Sequence, residues 1–381
     1  MHYHIRHALE NVTVYSYLKD EGTSLEKDII DCSLGVNPCG VTPTLTKEAY
    51  ADTFDLLHSY PAHPFTETRR HICQYFSDIA DLDISQISMQ SGSMSALCRI
   101  NSIFLEEGTT VVAPMPCFSS YTSNARSCGA AIVSVPLEEE EKFAFDTDRY
   151  IAALKPGQRL AYIDNPNNPT GQALPLADIR RILDAAREKE IVVVIDEAYG
   201  DFLEKEESAV SLINDYDNLV IARTFSKGFG LGALRAGYIV LPKAMVPVLA
   251  KDPGEMTITT PADKLIPIVL QDPGFLKMSR ETIANNKKAL IDSLHVLHVS
   301  KTRPDVPIGL YYTDADTDLG AIFWKHGIRV EYGVDFEGIG KRHVRLRVPD
   351  DVKPLLTRIA AIESELQAWG GGYLWPGPVQ I

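Results

Sequence analysis

The sequence predicts an α/β protein: a large, mostly parallel sheet covered by helices on both faces, with a smaller α+β domain attached. Three observations carry this. Short apolar runs recur along the middle of the chain, among them "TTVVAPMP" (109–116), "RLAYID" (159–164), "IVVVIDEAYGDF" (191–202) and "NLVIARTF" (218–225). Helical periodicity lies between them: in "LADIRRILDAAREKE", Ile179, Ile182, Leu183 and Ala186 fall on one helical face. After about residue 265 the texture changes to a long polar helix and three short strand-like segments, "IGLYYTDA", "GIRVEYG" and "HVRLRVP". Apolar strands alternating with amphipathic helices mean a buried parallel sheet, whose ligands bind at the carboxyl ends of its strands.

Each element follows from local signals. "TTVVAPMP" is a buried strand closed by prolines, and "AAIVSVPL" follows at strand–helix–strand spacing. "RLAYID" ends in the turn signals "NPNNPTG". "IVVVI" runs straight into acidic residues. The expected division is an N-terminal arm over the active site (1–30), a large domain (46–264), and a small domain from 31–45 and 265–381. "EEEEK" (138–142) reads as a solvated turn.

The 381 residues, 45% hydrophobic and 23% charged, have an ordinary globular composition. A net charge of −14 argues against nucleic acid or an anionic membrane as partner. No apolar stretch approaches the roughly 18 residues of a membrane span. The start, "MHYHIRHALENVTVY", lacks the apolar core of a secretory signal. The six cysteines form no CxxC pair, so free thiols and a cytoplasmic location are expected.

"RTFSKGFGLGALRAGY" (223–238) carries the chemistry. Its glycines formally fit a dinucleotide-binding loop, but that loop must open a long helix, and "ALRAGYIVL" turns back into a strand. A lysine on a constrained loop at a strand end suits a different task, covalent capture of an aldehyde cofactor. Such a cofactor needs an amine, an anion at its ring nitrogen, a donor to its phenolic oxygen, a stacking group and a phosphate cup. Lys227 supplies the amine. Asp196, closing "IVVVI", is the anion, although an aspartate there also suits a helix N-cap. Tyr199 and Asn168 can reach the phenolic oxygen. Phe118 can stack, or simply join the core. Ser226, Arg235 and the Gly-Ser turn of "QSGSMSAL" (90–97) can form the cup at a helix N-terminus.

With "NPNNPTG", "DEAYGDF" and "RTFSKGFGLGALRAGY" in that order, the chain resembles fold type I pyridoxal-phosphate enzymes of the aminotransferase class I and II group. Within that group it is most similar to histidinol-phosphate aminotransferases and threonine-phosphate decarboxylases. The similarity runs from "IDCSLGVNPCG" to "HVRLRVP". It implies that Lys227 holds pyridoxal 5′-phosphate and moves the proton, with Asp196 and Tyr199 completing the catalytic set. It implies Ser93, Met94, Phe118, Asn168, Thr224, Ser226 and Arg235 around the cofactor. Tyr60 would reach the neighbouring subunit of a homodimer. Arg345 would clamp the substrate's carboxylate or phosphate, with Asn37 also on the substrate side.

Three positions depart from the family pattern. Met94 and Ser95 replace acidic residues. Gly35 stands where the family has the first asparagine of an "NENPYG"-like segment. Glu331 stands where the phosphate-binding relatives carry an arginine. An acid there repels phosphate and suits a cationic partner, so a cationic or polar substrate side chain is expected opposite it, unless Glu331 points to solvent or pairs with Arg329 or Arg347 of the chain itself. The arm offers Glu10, Thr13, Tyr15 and Tyr17 as lid residues. His2, His4 and His7 form an HxHxxH pattern without an acidic or cysteine partner, so no metal is expected. The leading expectation is an aminotransferase. The alternative is a lyase or cyclase of an arginine-type amino acid. A non-catalytic regulator would carry an additional basic helical domain, and none is visible.

Overall fold

The computed structural model describes residues 6–10, 28–252, 254 and 257–370. His2, His4, Thr13, Tyr15 and Tyr17 lie outside them. Strand β1 (Ile30–Asp31) precedes a seven-stranded sheet. Its strands are β2 (Ile87–Gln90), β3 (Thr110–Met115), β4 (Ala131–Pro136), β5 (Leu160–Asp164), β6 (Val192–Asp196), β7 (Leu219–Thr224) and β8 (Gly237–Val240). They lie in the order β2-β8-β7-β6-β5-β3-β4. Only β8 runs against its neighbours, so the sheet is mostly parallel, as the apolar runs predict. Strands β5 and β7 are buried at every position, which is why they read as continuous apolar runs.

The helix Leu176–Arg187 buries Ile179, Ile182, Leu183 and Ala186 against one face of this sheet, the stripe predicted from spacing. Each fully buried aliphatic side chain contributes roughly 1.5–3 kcal/mol. Beyond the helix Glu190 takes a left-handed conformation, φ 59°, and turns the chain into β6. The opposite face packs a second core from the helices Ser93–Phe104 and Ser119–Ser127, with Leu97, Ile100 and Tyr121. Two covered faces leave the strand ends as the sheet's accessible polar rim.

A four-stranded sheet follows: β9 (His298–Val299), β10 (Ile308–Tyr312), β12 (Glu331–Tyr332) and β13 (His343–Arg347), in the order β12-β13-β10-β9. "GIRVEYG" is two strands, not one. Its first half, β11 (Ile328–Arg329), pairs in parallel with β1, and only its second half joins the four-stranded sheet. "EEEEK" is likewise more than a solvated turn, because Glu139 accepts from His343 Nε2 at 2.8 Å and from Arg342 Nη2 at 3.2 Å. All six cysteines are free. Among the described residues no helix is long and apolar enough to cross a membrane, and no group of His, Cys, Asp and Glu is arranged to hold a metal.

Candidate active site

The strand ends converge on a cleft of about 910 Å³, open solvent included, that runs from the large sheet to the smaller one. Asp164 and Asp196 are register partners at the ends of β5 and β6. Burial pushes Asp196 up to about 6, against the pull of the Ala198 N–H and the Tyr162 hydroxyl. Tyr162 is held in turn by stacking on Tyr121, ring centroids 3.6 Å apart. A buried carboxylate raised in this way is what a cationic ring nitrogen beside it would stabilise.

Asp164 was not singled out from sequence, yet it builds the wall. Its Oδ2 accepts from the Phe118 N–H at 3.1 Å and the Asn168 N–H at 3.0 Å, and its Oδ1 from Asn167 Nδ2 at 2.8 Å. One carboxylate thus fixes both the stacking candidate and the asparagine. Burial raises it to about 7. Its signal was present: "YID" before "NPNNPTG" repeats the apolar-strand-then-Asp pattern of "VID" at Asp196.

Lys227 lies in the loop after β7 with its amine in the cleft, 5.6 Å above the Tyr199 ring. Burial first, and then the positive charge of Arg345, push it down to about 8. An amine held there gives up and regains a proton near neutral pH. Asn37, expected on the substrate side, does something else. Its backbone N–H donates to the Lys227 carbonyl at 3.1 Å, and its amide donates to the Gly228 carbonyl at 2.7 Å and to Ser279 Oγ at 2.9 Å. Its Oδ1 accepts from the Cys39 N–H, so its polar atoms are occupied and it acts as a clamp on the lysine loop.

At the cleft's other end Gly92, φ 90°, opens the helix Ser93–Phe104, which has no side-chain cap. The first N–H groups of such a helix are unmatched internally and attract an anion. A Cβ on Gly92 would stand 2.7 Å from Arg235 Nη2, so only glycine lets that guanidinium sit there. Arg235 also reaches Ser226 Oγ at 3.4 Å, and Thr224 Oγ1 lies 2.9 Å from the same oxygen. Ser93, Met94, Ser226 and Arg235 all line the cleft.

Arg345 closes the side toward the small sheet. It is register partner to Glu331 across β13 and β12, and its Nη2 lies 2.6 Å from Glu331 Oε2. Its Nη1 donates to Asn168 Oδ1 at 3.2 Å. Arg345 is 3% exposed and Glu331 6%, yet Arg345 Nε and Glu331 Oε2 have no hydrogen-bond partner. Arg345 Nη2 donates to the Ser33 carbonyl, and its contact with Glu331 is an ion pair without a hydrogen bond. The cationic-substrate expectation is therefore corrected: Glu331 does not await a substrate guanidinium but is paired inside the protein.

Gly35 has a reason as well. A Cβ on it would lie 1.8 Å from the Tyr199 hydroxyl, which fills the space a larger residue would need. Asp335 and Phe336, from "GVDFEG", also line the cleft and carried no local signal. Of the residues expected on the substrate side, Glu10 and Asn37 do not line the cleft. Glu10 is exposed at the end of the short turn His7–Leu9 and does not line the cleft. Tyr60 is 84% exposed and does not reach the cleft of its own chain.

A lysine-centred cleft at the carboxyl edge of a mostly parallel sheet, with a buried carboxylate on one side and an uncapped helix N-terminus beside Arg235 on the other, suits a pyridoxal-phosphate enzyme. The chain belongs to the aminotransferase class I and II family, whose model matches residues 27–333. It is 34% identical over 217 residues to the histidinol-phosphate aminotransferase of Halorubrum lacusprofundi, a match covering 57% of each chain. It is 31% identical over 267 residues to that of Methanosarcina barkeri, covering 70% of each. The chain thus spans little more than half the length of the first of these relatives. The crystal structure of the Clostridium acetobutylicum histidinol-phosphate aminotransferase superposes with a TM-score of 0.77 at 21% identity, covering 88% of this chain and all of that one (100%). The cofactor is pyridoxal 5′-phosphate, and the cleft fits it: a raised buried carboxylate, a lowered lysine and an uncapped helix N-terminus each suit a group of that chemistry.

Proposed function

We propose that the protein is an aminotransferase that moves an amino group between a small amino compound and a 2-oxo acid. The observation that carries the reading is Lys227, pushed down to about 8 in the same cleft as Asp196 and Arg345. When bound there, the cofactor supplies an electron sink for cleavage of a bond at the substrate's amino-bearing carbon. Lys227 would hold the aldehyde and move the proton. Asp196 would pair with the ring nitrogen, Tyr199 and Asn168 would meet the phenolic oxygen, and Phe118 would stack on the ring. Ser93, Met94, Thr224, Ser226 and Arg235 hold the phosphate. Arg345 receives an anionic group of the substrate.

Histidinol phosphate is the first substrate to test, because the matched relatives are named for it. A second reading, an α-amino acid whose carboxylate meets Arg345, is favoured by Glu331, which sets a negative charge where a phosphate dianion would have to sit. The arginine-type lyase or cyclase reading rested on a Glu331 open to substrate and falls with it. The reading includes the domain division at residues 46–264 against 31–45 and 265–381, a homodimer with Tyr60 crossing between subunits, and a cytoplasmic location in keeping with free thiols.

The test is product mass from histidinol phosphate and from a panel of amino acids, with and without 2-oxoglutarate. Oxo product with matching glutamate, formed only with the acceptor, is expected. Turnover without an acceptor would overturn the assignment.

A further inference from the structure

Arg345 is built to receive an anion, yet it already has one. Glu331 is fixed opposite it by strand register, both side chains are buried, and the two are 2.6 Å apart. The pair is not self-sufficient. Arg345 Nε lacks an acceptor and Glu331 Oε2 lacks a donor, although both residues line the cleft. The pair of Arg126 and Glu337 differs: Arg126 Nη2 donates to both carboxylate oxygens at 2.8 Å. An anion entering to use Arg345 meets the Glu331 carboxylate at close range in a poorly screened site, where like charges repel strongly.

We propose that Glu331 is a resident counter-ion of Arg345, and that an anionic substrate group displaces it by coupling its own binding to proton uptake on Glu331. This rests on the aminotransferase reading and deepens it: substrate selection becomes a charge exchange at one arginine. The charged groups facing Glu331 are Arg345 on β13, Lys227 after β7, and Asp335 on the following turn. Burial already favours the neutral form of Glu331, while Arg345 and Lys227 oppose it. Removing Arg345's charge from Glu331, by engaging it with a ligand, shifts that balance toward protonation. The proton balance is simple: ionised Glu331, one proton from solvent and the anion give neutral Glu331 and an anion–Arg345 pair. The sign follows. Binding is tightest where Glu331 is protonated and weakens as pH rises through its titration. Above that titration the apparent Kd rises about tenfold per pH unit for one linked proton.

The test uses the holoenzyme and two unreactive probes, succinate and inorganic phosphate, which separate carboxylate from phosphate recognition. Calorimetry over a pH series in two buffers of different ionisation enthalpy counts protons taken up on binding. At its maximum over that series, wild-type protein is expected to take up about one proton per anion more than Glu331→Gln, because any proton gained near Lys227 is common to both. Glu331→Gln is expected to bind the preferred probe about tenfold more tightly, with a flat pH dependence. Glu331→Asp, which keeps the charge, is expected to retain the uptake. Cofactor absorption reports whether each variant is intact, and Glu331→Ala substitutes for Glu331→Gln if that variant loses it. Equal proton uptake in wild type and Glu331→Gln, or weaker binding by Glu331→Gln, would overturn the proposal. Because no turnover is involved, failure of the aminotransferase reading would show separately, in the product assay.

Discussion

Two buried arginines contrast a saturated charge network with an unsaturated one. Arg223 donates to Glu197 and Asp201, lies 3.2 Å from Ser208 Oγ, and sits over the Phe76 ring at 5.1 Å. Glu197 also accepts from Ser208 Oγ and the Ala209 N–H, each at 2.7 Å, and no polar side-chain atom of the three charged residues is left buried without a partner. Arg345 is equally buried and equally close to a carboxylate, but it faces a cleft and leaves its Nε and a Glu331 oxygen unmatched. A saturated network specifies a core. An unsaturated one at a cavity wall is an invitation to a ligand.

The sharpest break falls on Lys227. Lys227→Ala is expected to abolish both the near-visible absorption of lysine-bound cofactor and turnover, read by spectrum and product assay. An unchanged spectrum would sink the site assignment. Next in size, Asp196→Ala is expected to lower kcat on the order of 10²–10³-fold, as loss of a preorganised charge partner does. Arg223→Ala tests the structural cluster: by leaving Glu197 and Asp201 buried and unpaired it is expected to cost about 3–5 kcal/mol of stability by denaturant unfolding. Arg345→Ala is expected to do the opposite, losing about a hundredfold in kcat/KM while stability falls far less, since Glu331 can take a proton. The comparison fails if the two variants exchange phenotypes. Asn37→Ala removes the amide bonds to Gly228 and Ser279 and is expected to cost about 1–3 kcal/mol, with a modest change in cofactor absorption.

The cofactor side was largely legible because its residues sit in local patterns. Lys227, Ser226 and Arg235 share one loop, and Asp196 and Tyr199 share one strand end, so chain order alone brings each group together. Asp164 carried the same signal as Asp196 and was overlooked because its role is to hold other residues. Asn37 was misread because its segment said only that it lies near the site. Which way its amide points depends on Gly228 and Ser279, far away in the chain.

The sequence by itself determined the alternating strands and helices, the mostly parallel sheet, and the place of Lys227 on a strand-end loop, since periodicity and turn chemistry act over a few residues. Tertiary structure alone decided the substrate side. "GIRVEYG" had to split between two sheets before Glu331 could stand opposite Arg345, and that register depends on strands meeting from separate stretches of chain. Nothing in local sequence states which arginine a buried glutamate will face. Cross-strand pairing does, and it turned an expected contact to substrate into an ion pair within the protein.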